Sequence, residues 1–273
     1  MNESSNQLIA LLATYLPTIQ GFFTLCVLAS LRFLTAFYIF PPLGDTFLTG
    51  YLRNSLVGLL SIFVAVGTPV EAMQTLAILD LAVLAIKEAV IGLLIGFASA
   101  QVFWIASSVG ALLDMLTGYN DVQTKNPLSG EQSTPISQFL LHLVTVIFYT
   151  TGGMLFFLGV VFQSYQLWPL FSNLPQLGNA SSPFVLSQIN GLMTGIVKFG
   201  APVLLVLILI EFSFGLLNRA AGQLGLSNLS QPVKGAVTLL MLALLISTII
   251  PQIQHLLVPT GLLQEMKRMM DMD

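Results

Sequence analysis

Charge is what this sequence has least of. Charged residues fill 8% of its 273 positions, against about 25% in an ordinary soluble domain. A surface that poor in charge excludes a water-soluble globule and points to a protein built into, or assembled against, a membrane. Basic residues are the scarcer kind, nine Lys and Arg against twelve Asp and Glu, for a formal net charge of -3. They form no cluster, so nothing suggests a nucleic-acid partner or an anionic-lipid site. There is one cysteine, Cys26, in an apolar run, which excludes an intrachain disulfide. The two histidines, His142 and His255, stand far from any ligand-spaced Cys or carboxylate, so neither a metal nor another cofactor is expected. A Walker loop, a G-x-S-x-G elbow and an H-E-x-x-H pair are all absent, and with them the common enzyme signatures. Met1 to Gln7 lacks the basic start of a cleaved signal, so the first apolar segment is expected to be retained.

What is present is hydrophobic, 55% of the chain. The runs are too long for barrel strands, so the predicted fold is all-α, a membrane-associated protein with long, broken helices. Leu8 to Leu31 comes first, with Pro17 and Gly21 expected to divide it into a short entry piece and a longer helix. Arg32 follows, and Pro41-Pro42-Leu43-Gly44 stops the helix. Arg53 opens the next run, which ends at Gly67-Thr68-Pro69; Arg32 and Arg53 read as interfacial anchors with snorkelling stems. Leu76 to Leu116 is about 60 Å of helix at 1.5 Å per residue, roughly twice a hydrocarbon core. Within it Glu88, Gly92, Gly96 and Ala100 recur every fourth residue, one carboxylate and three small residues on a face that invites close helix approach. Lys87 beside Glu88 is expected to point elsewhere. Ile136 to Leu167 is again long, with a bend marked by Gly152-Gly153 and a stop at Trp168-Pro169. Phe171 to Gln188 is a second polar stretch. Two helices follow, about Gly191 to Asn218 and Pro232 to Leu257, with Arg219 just past the first as a cation complementing its C-terminus, and Ser230 as a cap for the second. Placing Arg32, Arg53, Arg219 and Lys234 on the cytoplasmic side gives a consistent alternation that Lys267 and Arg268 break.

Between Leu116 and Ile136 lies the one long polar segment of the first half, Gly118 to Pro135. Gly118, Pro127, Gly130 and Pro135 break helices, and its Asn, Asp, Ser and Thr residues favour turns. It is longer than most helix–helix connections, and long loops in compact domains are often functional. The carboxylates Asp80, Glu88, Asp114 and Glu211 allow a second idea, a secondary transporter with a proton or small-solute relay, although the chain lacks the internal repeat such proteins usually carry.

Four pieces, in order along nearly the whole chain, resemble one family. They are Arg32 with Pro41-Pro42-Leu43-Gly44 and Arg53; Lys87-Glu88-Ala89-Val90-Ile91-Gly92-Leu93-Leu94-Ile95-Gly96-Phe97; Gly110-Ala111-Leu112-Leu113-Asp114 with Gly152-Gly153 and Trp168-Pro169; and Phe214-Gly215-Leu216-Leu217-Asn218-Arg219-Ala220-Ala221-Gly222-Gln223-Leu224 with Gln231-Pro232-Val233-Lys234. The chain resembles the export-apparatus subunit of type III secretion systems, called SctT in injectisomes and FliR in flagella. Gly222 stands where the flagellar form often has proline, and the central loop is more polar, which favours the injectisome branch.

The resemblance implies a structural and gating role without enzymatic activity, at the bacterial inner membrane or raised to the periplasmic side within the basal body. It implies one copy of this chain with five SctR and four SctS subunits, a neighbouring SctU-type switch protein, membrane lipid around the assembly and unfolded secreted proteins passing through. It also implies an SctR-like part over 1–190 and an SctS-like hairpin over 191–273. The central loop would enter the channel as a plug, carried by Asp114, Gly118, Tyr119, Asn120, Asp121, Val122, Lys125, Asn126, Pro127, Leu128 and Gly130. Glu88, Gly92, Gly96, Ala100, Arg219 and Lys234 would serve packing and assembly.

Overall fold

The computed structural model describes residues 3–70, 77–119, 124–125, 132–172, 177–220 and 227–257, and the surroundings of side chains over 17–70, 77–119, 134–172, 185–220 and 229–244. The fold is all-α. Seven α-helices are described, α1 (Glu3–Ile39), α2 (Gly50–Val66), α3 (Ile78–Thr117), α4 (Pro135–Thr150), α5 (Gly153–Leu167), α6 (Leu177–Ala220) and α7 (Ser227–Leu257), with a short 3-10 helix at Pro41–Leu43. The exception is one pair of two-residue strands, β1 (Thr124–Lys125) and β2 (Gln132–Ser133), which pair antiparallel with Thr124 opposite Ser133 and Lys125 opposite Gln132.

Several boundaries differ from the expectation. Pro17 lies inside an unbroken α1; its ring removes one backbone bond, a loss that a long helix in apolar surroundings absorbs. The run from Ile78 stays helical for 40 residues without a break. The second polar stretch is in part helix, since α6 begins at Leu177 and runs 44 residues through Pro183 and Gly191. Ser227 opens α7, so Ser230 sits within its first turn and is not the cap. The bend at Gly152-Gly153 is present: Gly152 has φ +78°, which glycine adopts without strain, and the axes of α4 and α5 differ by 74°. A Cβ at Gly153 would overlap the Phe148 ring, which explains the second glycine.

By length and apolar composition, Pro17–Ile39 and Val185–Ala220 can cross a membrane, and the bent pair α4–α5 is a third candidate if it counts as one span. The chain forms two compact units that interleave in sequence: 1–99 with 159–177, and 100–158 with 178–273. This partition is spatial, and of a different kind from the boundary near Gly191. In the first unit Leu25, Leu28, Ala29, Ala65 and Leu170 form the core, and Phe33 packs on Phe37, Phe162 and Tyr165. In the second, Ile105, Val109 and Leu113 of α3 meet Ile136 and Leu140 of α4, Val203 and Leu207 of α6, and Leu242 of α7. Spacings of four residues put each contributor on one face of its helix.

Candidate functional site

The first unit holds a buried ion cluster. Arg32, Lys87 and Glu88 are 0%, 1% and 0% exposed. Arg32 grips Glu88 with both edges of its fork, Nε to Oε2 at 2.7 Å and a terminal nitrogen to Oε1 at 2.9 Å. The guanidinium also donates to Ser164 Oγ and to the Trp168 carbonyl, each at 2.9 Å, and lies 3.9 Å from the centre of the Tyr165 ring. Lys87 Nζ donates to the carbonyls of Pro169, Leu170 and Ser172 at 2.8, 2.7 and 3.2 Å, and stands 3.2 Å from Glu88 Oε1. Two cations therefore share one carboxylate, and the carbonyl oxygens of the turn after α5 supply the remaining negative partial charge.

Two expectations are corrected here. Arg32 is no snorkelling anchor, because its head group is at the centre of a packed unit and not at a boundary with water. Arg53 is also mostly covered, 3.1 Å from Asp45 and over the Tyr38 ring. Lys87 and Glu88 do pair: their long side chains converge on the same turn although their Cβ atoms diverge. With Arg32 and Lys234 buried, neither can be counted as an interfacial charge, so the alternation drawn from basic residues loses its basis. Sequence reasoning passed over Ser164 and Tyr165. They follow Val161 on one face of α5 at i+3 and i+4, with Trp168 at i+7 just past the helix end, which was the available signal.

Glycine sets how closely α1 and α3 approach. A Cβ at Gly92 would overlap Thr35 Oγ1 and the Arg32 carbonyl, and one at Gly96 would lie 2.8 Å from the Ala36 carbonyl oxygen. Close backbone approach is what brings Glu88, four residues before Gly92, to Arg32. Ala100 is buried at 0% exposure in the second unit.

The second unit holds both roots of the polar loop. At the N-terminal root Gly118 has φ +80°, and a Cβ there would lie 2.6 Å from Gln231 Nε2. Tyr119 rests on α7 with its hydroxyl over Gly235, where a Cβ would collide with the phenolic oxygen. Gln231 and Gly235 are four residues apart and so on one face of α7. At the C-terminal root Asp114 of α3 accepts from Ile136 N at 3.0 Å and Ser137 N at 3.0 Å, the first free donors of α4. Ser137 Oγ donates to the Ser107 carbonyl at 2.8 Å. Gly110 permits this approach, since a Cβ would stand 2.7 Å from Ser137 N. Between the roots, the backbone of Lys125 is in β1; Asn120, Asp121, Val122, Asn126, Pro127, Leu128 and Gly130 lie outside the described residues.

Lys234 of α7, 7% exposed, donates to Glu211 of α6. Arg219 lies in the last turn of α6, not beyond it, and is exposed; no carbonyl or carboxylate partner for it is found among the described residues. The four carboxylates that a relay would need are separately engaged. Asp80 caps α3 through Ala77 N at 3.1 Å, Glu88 binds Arg32, Asp114 caps α4 and Glu211 binds Lys234.

Comparison with known proteins places the sequence in a family. The sequence model of the family "Bacterial export proteins, family 1" matches residues 23–259. The chain is 30% identical over 214 residues to Yop proteins translocation protein T of Yersinia pestis, covering 78% of this chain and 82% of that protein. It is 28% identical over 216 residues to surface presentation of antigens protein SpaR of Salmonella typhimurium, covering 79% and 80%. The flagellar biosynthetic protein FliR of Bacillus subtilis is 25% identical over 167 residues, 61% of this chain and 64% of that one. The match to translocation proteins is the stronger, which supports the injectisome branch.

Proposed function

The chain belongs to family 1 of the bacterial export proteins, and from that premise we propose that it is the SctT-type subunit of an export gate. It is a component of the type III export apparatus, structural and not enzymatic, held at the inner membrane by its apolar helices. In this reading it joins SctR and SctS subunits at the channel entry, beside an SctU-type switch protein. The part up to residue 190 takes the SctR-like role, and α6 with α7 takes that of the SctS-like hairpin. Residues 118–134 plug the channel.

The observation that carries the plug reading is the anchorage of the loop. A slack connector needs no fixed ends, yet here one root rests on α7 through Gly118 and Tyr119 and the other is bonded to α3 through Asp114. A channel for unfolded proteins must close to ions when idle. A polar segment has little apolar area to bury, so it can leave its closed position at modest cost. The separate engagement of the four carboxylates removes the motive for a transporter reading.

The test is to delete Gln123 to Gly130 and measure closed-state conductance of the purified complex in planar bilayers. We expect a fully assembled complex that leaks ions. An assembled complex with unchanged conductance would make the loop a linker.

A further inference from the structure

Helix α4 begins with a cap that it does not use. Thr134 occupies the N-cap position with the extended backbone that position requires, φ −88° and ψ 152°, and its carbonyl accepts from Gln138 N at 3.0 Å. A threonine so placed turns its hydroxyl onto the N–H of the second or third helical residue, here Ile136 or Ser137. Both N–H groups are instead taken by Asp114, from α3. Thr134 Oγ1 is left buried, with no hydrogen-bond partner among the described residues. A buried hydroxyl without a partner is costly, and native structures keep few of them. Two acceptors on different elements thus compete for the same two donors. The winner depends on whether the C-terminal root of the polar loop lies against α3.

We propose that α4 has two alternating caps, and that this root has two matching positions. In the docked position Asp114 caps α4 from across the interface. In the released position Thr134 rotates about χ1 and caps α4 from within its own chain, so the helix does not fray as the root leaves α3. On release the hand-over keeps one of the two donors satisfied within the chain and leaves the other to water at the freed helix end, which lowers the cost of release. Pro135, at the first helical position, has no N–H to lose and pre-sets the helical φ, so the helix starts at the same residue in both. The bond from Ser137 Oγ to the Ser107 carbonyl and the close approach at Gly110 have no counterpart on release, and they bias the root towards docking. The inference concerns anchorage alone and does not require the loop to be a plug.

The test is a double-substitution cycle in the complete chain in mild detergent, read by amide hydrogen exchange at Ile136 and Ser137. Thr134→Val should leave exchange within about twofold of wild type, because Asp114 holds the donors. Asp114→Ala should raise it modestly, because Thr134 takes over. The doubly substituted chain should exceed the product of the two single effects by about fivefold, the contribution of one typical cap. Thr134→Ser on the Asp114→Ala background should return exchange to the Asp114→Ala level. If Asp114→Ala does not fold, the same cycle with Asp114→Asn should give an excess above about twofold, since the amide oxygen is the weaker acceptor. A doubly substituted chain equal to the product of the singles would overturn the proposal. So would Thr134→Val alone acting as strongly as Asp114→Ala.

Discussion

Replacing Glu88 by Gln tests the buried cluster most directly. The carboxylate, 0% exposed, accepts from both edges of the Arg32 fork and stands beside Lys87. The amide keeps the volume but removes the charge and turns an NH2 towards a donor of Arg32. Two buried cations are then left with neutral partners only. Breaking a buried pair in this way costs about 3–5 kcal/mol, a loss of between a hundredfold and several thousandfold in the folded-to-unfolded ratio. The usual remedy, apolar replacement of every member of a buried ion set, is often neutral or stabilising. It should fail here. Arg32 and Lys87 satisfy the carbonyls of Trp168, Pro169, Leu170 and Ser172 as well as the carboxylate. Met at all three positions would orphan the carbonyls of Trp168, Leu170 and Ser172, at about 1–3 kcal/mol for each that stays dry; that of Pro169 keeps the N–H and the hydroxyl of Ser172 as donors. Thermal stability in mild detergent is the assay, with the yield of assembled complex as a second reading. We expect Glu88→Gln to melt at least about 6 °C below wild type, taking the lower cost and about 2 °C per kcal/mol for a chain of this size, and the Met triple replacement to melt lower still. A Glu88→Gln melting point within 1 °C of wild type would refute the buried cluster.

Further outcomes follow from the same structure. Glu211→Gln removes the ion pair between α6 and α7, but Glu211 is 63% exposed; screening limits the effect to under about 1 kcal/mol, so the melting point should move by no more than about 4 °C. Gly96→Leu forces a side chain into the Ala36 backbone, 2.8 Å from where its Cβ would stand; it should block assembly and secretion, and normal secretion would show that this face does not pack. Gly118→Ala sets a Cβ both at φ +80° and against Gln231. It should cost about 1–3 kcal/mol and detach the N-terminal root, measurable as faster exchange of the Tyr119 amide.

The fold class was legible because lipid leaves so few options. A chain with 8% charged residues in runs of this length has to be helical. The close-approach face was legible too: Glu88, Gly92 and Gly96 recur every fourth residue, and period alone puts them on one side. Helix ends were less so. Pro17, Gly191 and the residues around Pro183 read as breaks by local propensity, yet all lie inside helices, because packing and an apolar environment outweigh a cost of a few kcal/mol per proline.

Partners were not legible at all, and the reason is sequence distance. Arg32, Glu88 and Ser164 lie 56 and 132 residues apart along the chain in their bonded pairs, and no local pattern relates them. By itself the sequence determined that Glu88 was too costly to leave unpaired in an apolar chain, while it read Arg32 as a snorkelling anchor and Lys87 as pointing elsewhere. It determined equally that the segment from Gly118 to Pro135 was too polar to be buried as helix. Only the tertiary structure decided that the three charges meet one another and the turn after α5. Likewise, only the tertiary structure decided that Asp114 displaces Thr134 as the cap of α4. Desolvation cost belongs to a residue type and can be read position by position, whereas the partner that offsets it is chosen by helices packing across the whole chain.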